Sequence, residues 1–130
     1  MLFRSLIGEI GDSEKSEFLG NAHALLFPIN WQEPFGLAMI EALGCGTPVI
    51  AYPKGSVPEI LEDGRTGFLV NSVAEAAKAV EDRVHSLDRR ICRQVFEDRF
   101  SVERMCADYV DIFEFLRSRA AKSVVRVRTA

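Results

Sequence analysis

The sequence predicts an α/β protein, a three-layer α/β/α sandwich around a mainly parallel sheet of about four strands. Three observations predict it. Short apolar runs alternate with stretches of helical periodicity along the chain, the order that parallel strands with right-handed crossovers produce. The runs at 24–27, 48–52 and 67–70 are almost wholly apolar, as strands buried on both faces are. The chain has 130 residues, 48% apolar and 27% charged, which is the size and composition of one globular domain with a core.

The elements follow in order. Residues 2–7 read as a first strand and 8–11 as a loop, with Asp12 as N-cap of a helix over about 13–22. The run at 24–27, stopped by Pro28, reads as a second strand. Pro34 stands where the first residue of a helix would. That helix carries Leu37, Met39, Ile40 and Leu43, and Gly44 or Gly46 ends it. Pro48 opens a strand through Tyr52, at the position where its missing amide costs least. Ser56 and Glu59 are spaced as a capping box, and so are Ser72 and Glu75. Between them, Asp63-Gly64 signals a turn before the strand at 67–70. The helix after Ser72 places Ala77, Val80, Val84 and Leu87 on one face. Ser101 opens a last helix, on which Val102, Met105, Cys106, Tyr109, Ile112, Phe113 and Leu116 recur at helical spacing. That period fades after Leu116, so residues 1–118 read as the domain and 119–130 as a flexible basic tail.

Composition excludes several classes. No apolar run approaches the roughly 18–20 residues that span a bilayer, and the N-terminus lacks a signal-peptide pattern. The expectation is a cytoplasmic chain, with a basic tail that either is solvated or touches an acidic membrane surface. Cys45, Cys92 and Cys106 are an odd number without a Cys-x-x-Cys pair, and read as reduced thiols. His23 and His85 stand alone, so no metal site is expected. Residues 1–88 carry a net charge of −7 and residues 89–130 one of +4. The basic half alternates with acids and has few aromatic neighbours, which argues for a solvated face and against a nucleic-acid partner.

Ligands of such sheets bind at the carboxyl ends of the strands, here the loops 8–12, 28–33, 53–56 and 71–72. The segment WQEPFGLAMIEALGCG carries the strongest chemical signal. Unpaired amides at the start of its helix suit a phosphate or polyhydroxyl ligand, and Gly36 lets a ligand approach that backbone. Glu33 lies just before the helix. Glu41 follows eight residues on, about 12 Å along the axis if the whole span is helical. One carboxylate would then hold the sugar end of an elongated donor and the other a ribose. Asp12 reads equally as an N-cap, Lys15 as a solvated helix charge and Glu59 as a capping residue.

These motifs resemble those of a known family. Glu33-Pro-Phe-Gly-Leu37 with Glu41-Ala-Leu-Gly-Cys-Gly-Thr-Pro-Val-Ile50, then Gly55-Ser-Val-Pro-Glu59 and Asp63-Gly-Arg-Thr-Gly-Phe-Leu-Val70, with the opening Gly8-Glu-Ile-Gly-Asp-Ser-Glu-Lys15 and the closing Phe100-Ser101 before the Tyr109 helix, are similar to the C-terminal, donor-binding domain of retaining GT-B glycosyltransferases of group 1 (family 4). The resemblance covers about residues 1–116 and implies a Rossmann-like domain, half of a GT-B enzyme. It implies that Glu33 contacts the transferred sugar near the reacting centre, as the catalytic residue. The amides of Phe35, Gly36 and Leu37 would hold sugar hydroxyls or the diphosphate, and Glu41 the ribose. The Ile10 backbone, Asp12 and Lys15 would lie near the base, and Gly55 would line the neighbouring loop. No cofactor or metal is implied, since the nucleoside diphosphate sugar is itself the donor substrate.

The family pattern also includes an N-terminal acceptor domain, and an upstream Arg and Lys for the diphosphate, that this sequence does not contain. The expectation is therefore a donor-domain portion of a retaining hexosyltransferase, inactive as an isolated chain. The missing acceptor domain or a partner chain would complete it, and the acceptor is unknown. The alternative is a non-catalytic nucleotide-sugar-binding or scaffold module that pairs with another glycosyltransferase chain. Its exposed sheet edge would also permit a homo-oligomer.

Overall fold

Three short parallel strands set the frame of the computed structural model, which describes residues 5–128 and the side chains of residues 5–119. They are β1 (Leu25–Phe27), β2 (Val49–Ala51) and β3 (Gly67–Leu69), paired in the order β1-β2-β3. The register sets Leu25 against Val49 and Ala51 against Leu69. β2 lies in the middle and is buried along its whole length, as an uninterrupted Val-Ile-Ala run favours.

The helices are α1 (Asp12–Asn21), α2 (Leu37–Gly44), α3 (Val57–Ile60), α4 (Val73–Lys78), α5 (Arg89–Phe100) and α6 (Val102–Arg128). A π-helical turn (Ala79–Arg83) and a 3-10 turn (Val84–Ser86) continue α4. Side chains alternate across a strand. Ile50 therefore points to one face of the sheet, where it packs with Phe68, Val70, Ala76, Ala79 and Val84. Val49 and Ala51 point to the other, where α2 packs on β1 and β2 and α1 packs on α2. The result is the three-layer, Rossmann-like architecture.

The structure divides into two units, Met1–Phe96 and Glu97–Ala130. In the second, Ser101 Oγ accepts the Arg104 amide at 3.2 Å and opens α6. An Arg104–Asp108 ion pair at 2.9 Å follows one turn on. The apolar side chains of α6 that the periodicity marks, Met105, Tyr109, Ile112, Phe113 and Leu116 among them, are all exposed.

Several expectations need correction. Residues 5–7 are not in a strand, and residues 2–4 lie outside the described residues, so the described sheet has three strands where about four were expected. Asp12 is not an N-cap. Gly11 holds that position, and Asp12 is the first helical residue, ion-paired to Lys15 at 3.2 Å. Pro34 does not open α2, because Gly36 takes φ +85°, a left-handed conformation that delays the helix to Leu37.

Of the two capping boxes, only the second forms. Ser72 Oγ accepts the Glu75 amide at 3.1 Å, and Glu75 reaches back to the Asn71 amide at 2.8 Å. Ser56 already has helical dihedrals, so its hydroxyl caps nothing and is buried without a partner. Of the face expected on α4 and its continuation, Val84 is buried and Val80 and Leu87 pack against the core, but Ala77 is exposed and the inward alanines are Ala76 and Ala79. α5 was not anticipated. Its arginine-rich sequence hides two core positions, Cys92 and Val95, and α6 runs past the fading period to Arg128.

Candidate functional site

Glu33 lies in the loop that leaves the carboxyl end of β1. Its carboxylate turns back onto its own backbone: Oε1 accepts the Gly36 amide at 2.9 Å and the Phe35 amide at 3.5 Å. Oε2 accepts the Trp31 indole N–H at 3.3 Å. The amides ahead of α2 thus already hold a negatively charged oxygen, and the chain itself supplies it. This is the chemistry of a helix N-terminus, unpaired donors favouring an anion.

The loop after β2 locks this one in place. The Ser56 amide donates to Glu33 O at 2.8 Å and the Gly55 amide to Gln32 Oε1 at 2.7 Å. The Lys54 ammonium donates to the Asn30 amide oxygen. Two glycines permit the closeness. A Cβ on Gly55 would stand 2.3 Å from Glu33 O, and one on Gly36 would stand 2.4 Å from the Met39 methyl and 2.7 Å from Ile60 Cδ1. Both have positive φ, at +59° and +85°, so a side chain is disfavoured on conformation as well as space.

Glu41 lies on the second turn of α2. Its Oε1 accepts Lys15 Nζ from α1 at 3.1 Å, and Lys15 also meets Asp12 at 3.2 Å. The Glu41 carboxylate, and after it Asp12, holds the Lys15 ammonium above the usual lysine range. These three residues line a cleft of about 360 Å³ with Ile40, Cys45 and Phe96.

The predicted site residues therefore fall into two groups. Glu33, Phe35, Gly36 and Gly55 form one, with Leu37 exposed at its edge; Asp12, Lys15 and Glu41 form the other. Ile10 lines a separate cleft of about 600 Å³, with Ile7, Glu14 and Phe18 among its walls. Among the described residues no cluster of three or more His, Cys, Asp or Glu side chains could hold a metal.

Sequence reasoning left out Asn30, Trp31, Gln32 and Lys54, whose side chains tie the Glu33 loop together. Their signal was position: all belong to the loops at the carboxyl ends of β1 and β2. Arg89 was missed as well. Its guanidinium donates to Ala22 O at 2.6 Å, Gly20 O at 2.7 Å and Thr47 Oγ1 at 2.8 Å. This fastens the end of α1 to the turn before β2 and so supports the helix that carries Lys15.

Comparison with known proteins bears on the family and the fold. The family model described as "Glycosyl transferases group 1" matches residues 5–91. A probable sucrose-phosphate synthase of Thermosipho melanesiensis is 38% identical over 85 residues, covering 63% of this chain and 20% of that protein. A D-inositol 3-phosphate glycosyltransferase of Streptomyces scabiei is 41% identical over 70 residues, covering 54% of this chain and 16% of that protein. Among solved structures, the Anabaena protein HepE in complex with UDP and glucose superposes with a TM-score of 0.67 at 21% identity, covering 78% of this chain and 30% of that one. The chain spans less than a third of the length of each.

Proposed function

The chain belongs to the glycosyl transferases group 1 family, and from that premise we propose that it forms the donor-side part of a nucleoside diphosphate sugar site for retaining hexosyl transfer. The observation that carries the reading is the Glu33 loop: two backbone amides converge on an anionic oxygen ahead of α2 at 2.9 and 3.5 Å. A donor oxygen, from the sugar or the diphosphate, would exchange with or share that carboxylate's place on the Phe35 and Gly36 amides, with the Leu37 amide beside them. Glu33 would then accept from hydroxyls of the transferred sugar near the reacting centre.

Glu41 would take the ribose. Only one of its oxygens holds Lys15, and a carboxylate has lone pairs for more than one donor. Asp12, Lys15 and the Ile10 backbone would face the base, and Gly55 would border the sugar. Catalysis would come from positioning, and from stabilising the leaving diphosphate and an oxocarbenium-like sugar by dipoles and charge. Lys54 supports this. Its ammonium is at the mouth of the Glu33 loop with a neutral amide oxygen as partner, free to offer its charge to a phosphate. No metal or cofactor is required by the roles proposed.

We place the remaining machinery, an acceptor domain and its acceptor, outside these 130 residues, so the isolated chain would bind donor without transferring the sugar. A second reading, a nucleotide-sugar-binding or scaffold module that pairs with another chain, is favoured by one observation. Among the described residues β1 is an edge strand hydrogen-bonded to β2 alone, and Leu26 on it is 54% exposed.

Calorimetric titration of the whole chain with UDP-, GDP- and ADP-sugars, beside the Glu41→Ala variant, tests the first reading. The expected result is binding of one base class, weakened about tenfold or more in the variant, the scale of one lost charged hydrogen bond or two. Absence of binding to all three would overturn the donor-site reading and leave the scaffold.

A further inference from the structure

Trp31 is the single tryptophan of the chain, and it stands 62% exposed in the loop after β1. Large aromatic side chains usually bury most of their area, and an indole left in water with its N–H already bonded offers its ring faces to a ligand. The N–H donates to Glu33 Oε2 at 3.3 Å. The other oxygen of that carboxylate is the one held by the Gly36 amide at 2.9 Å. The ring is therefore tethered to the carboxylate through one edge.

The backbone beneath it is held as well. Its sequence neighbours Asn30 and Gln32 are each hydrogen-bonded to the loop after β2, through Lys54 and the Gly55 amide. Trp31 is thus a fixed apolar surface beside a fixed acceptor. A pyranose matches that pair, since it has a face of C–H groups bounded by an equator of hydroxyl donors. The C–H face packs on the ring while an equatorial hydroxyl donates to the carboxylate.

We propose that Trp31 is a binding residue of the sugar subsite, its indole packing against the hexose whose hydroxyls Glu33 accepts. The proposal rests on the donor-site reading and adds to it the residue that distinguishes a nucleoside diphosphate sugar from the bare nucleoside diphosphate. The matching family motifs give Trp31 no part.

Because Trp31 is the only tryptophan, its fluorescence reports on this subsite alone. The full chain is titrated with UDP, GDP and ADP and with their glucose conjugates, following Trp emission and heat together for wild type, and heat alone for Trp31→Phe and Trp31→Ala, which contain no tryptophan. The expected result is that the conjugate of the preferred base changes the Trp31 emission while the matching nucleoside diphosphate binds with little change. Trp31→Ala should weaken the conjugate about fivefold and leave the diphosphate unaffected, with Trp31→Phe between the two. Thermal midpoints should hardly move, since the side chain is exposed.

Equal emission changes from conjugate and diphosphate would overturn the proposal, and so would an unchanged ratio of affinities in Trp31→Ala. In either case the donor site itself would stand. Heat-silent titrations with every nucleotide and conjugate would overturn the donor-site reading and this proposal with it.

Discussion

Single atoms decide most of the site. Gly55 has φ +59°, and its missing Cβ would collide with the Glu33 backbone. Gly55→Ala therefore combines a strained backbone with a steric clash, and is expected to lower stability by about 2–4 kcal/mol, read as a lower urea midpoint with unchanged slope. The thiols make a second case. Burial raises the Cys92 thiol above its ordinary range, whereas Cys106 is exposed. At pH 8 in the native state, iodoacetamide should modify Cys106 first and Cys92 only on unfolding, with the order checked by mass spectrometry. The sign of the linkage follows. The unfolded chain ionises this thiol before the folded one, so its contribution to stability is unchanged below the ordinary thiol range and falls as pH rises through and beyond it. A smaller alkaline loss in Cys92→Ala than in wild type would check this.

At the scale of elements, the same sequence signal had two outcomes. Ser72-x-x-Glu75 and Ser56-x-x-Glu59 are identical as patterns, yet only Ser72 enters its helix from extended backbone, at φ −150° and ψ 161°. Ser56 follows Gly55 with dihedrals that are already helical, which turns its hydroxyl away from the amides it would cap. Ser72→Ala should cost about 1 kcal/mol. Ser56→Ala should be neutral or stabilising, because it removes a buried hydroxyl that makes no hydrogen bond. Thermal unfolding of the pair measures the contrast. The start of α2 teaches the same lesson, since a proline suited to a first helical turn sits in the loop because Gly36 two residues later is left-handed.

For the whole molecule, what matters is how much apolar and strand surface remains uncovered. Among the described residues no strand pairs with the outer edge of β1, and Leu6, Ile7 and Phe18 are exposed along with Leu26. Unpaired edges next to apolar side chains promote association. Leu26→Lys should reduce concentration-dependent self-association in sedimentation velocity while leaving the donor titration unchanged. No helix among the described residues is long and apolar enough to cross a membrane.

The sequence by itself determined the alternation of β1, β2 and β3 with the helices α1 to α4, the burial of β2, the turn at Asp63-Gly64 and the family, because each depends on local propensity or on motifs whose spacing survives in one dimension. It named Glu33 and Glu41 for the same reason. Tertiary structure alone decided what Glu41 holds, whereas Glu33 holds groups two and three residues away. Lys15 reaches Glu41 across 26 positions of sequence, and Arg89 reaches Gly20 across 69. Ring and carboxylate meet at Trp31 and Glu33 only because the loop after β2 fixes the backbone between them. Contacts so far apart in the chain leave no periodicity to read. They arise when packing brings α1 against α2 and the start of α5 against the end of α1.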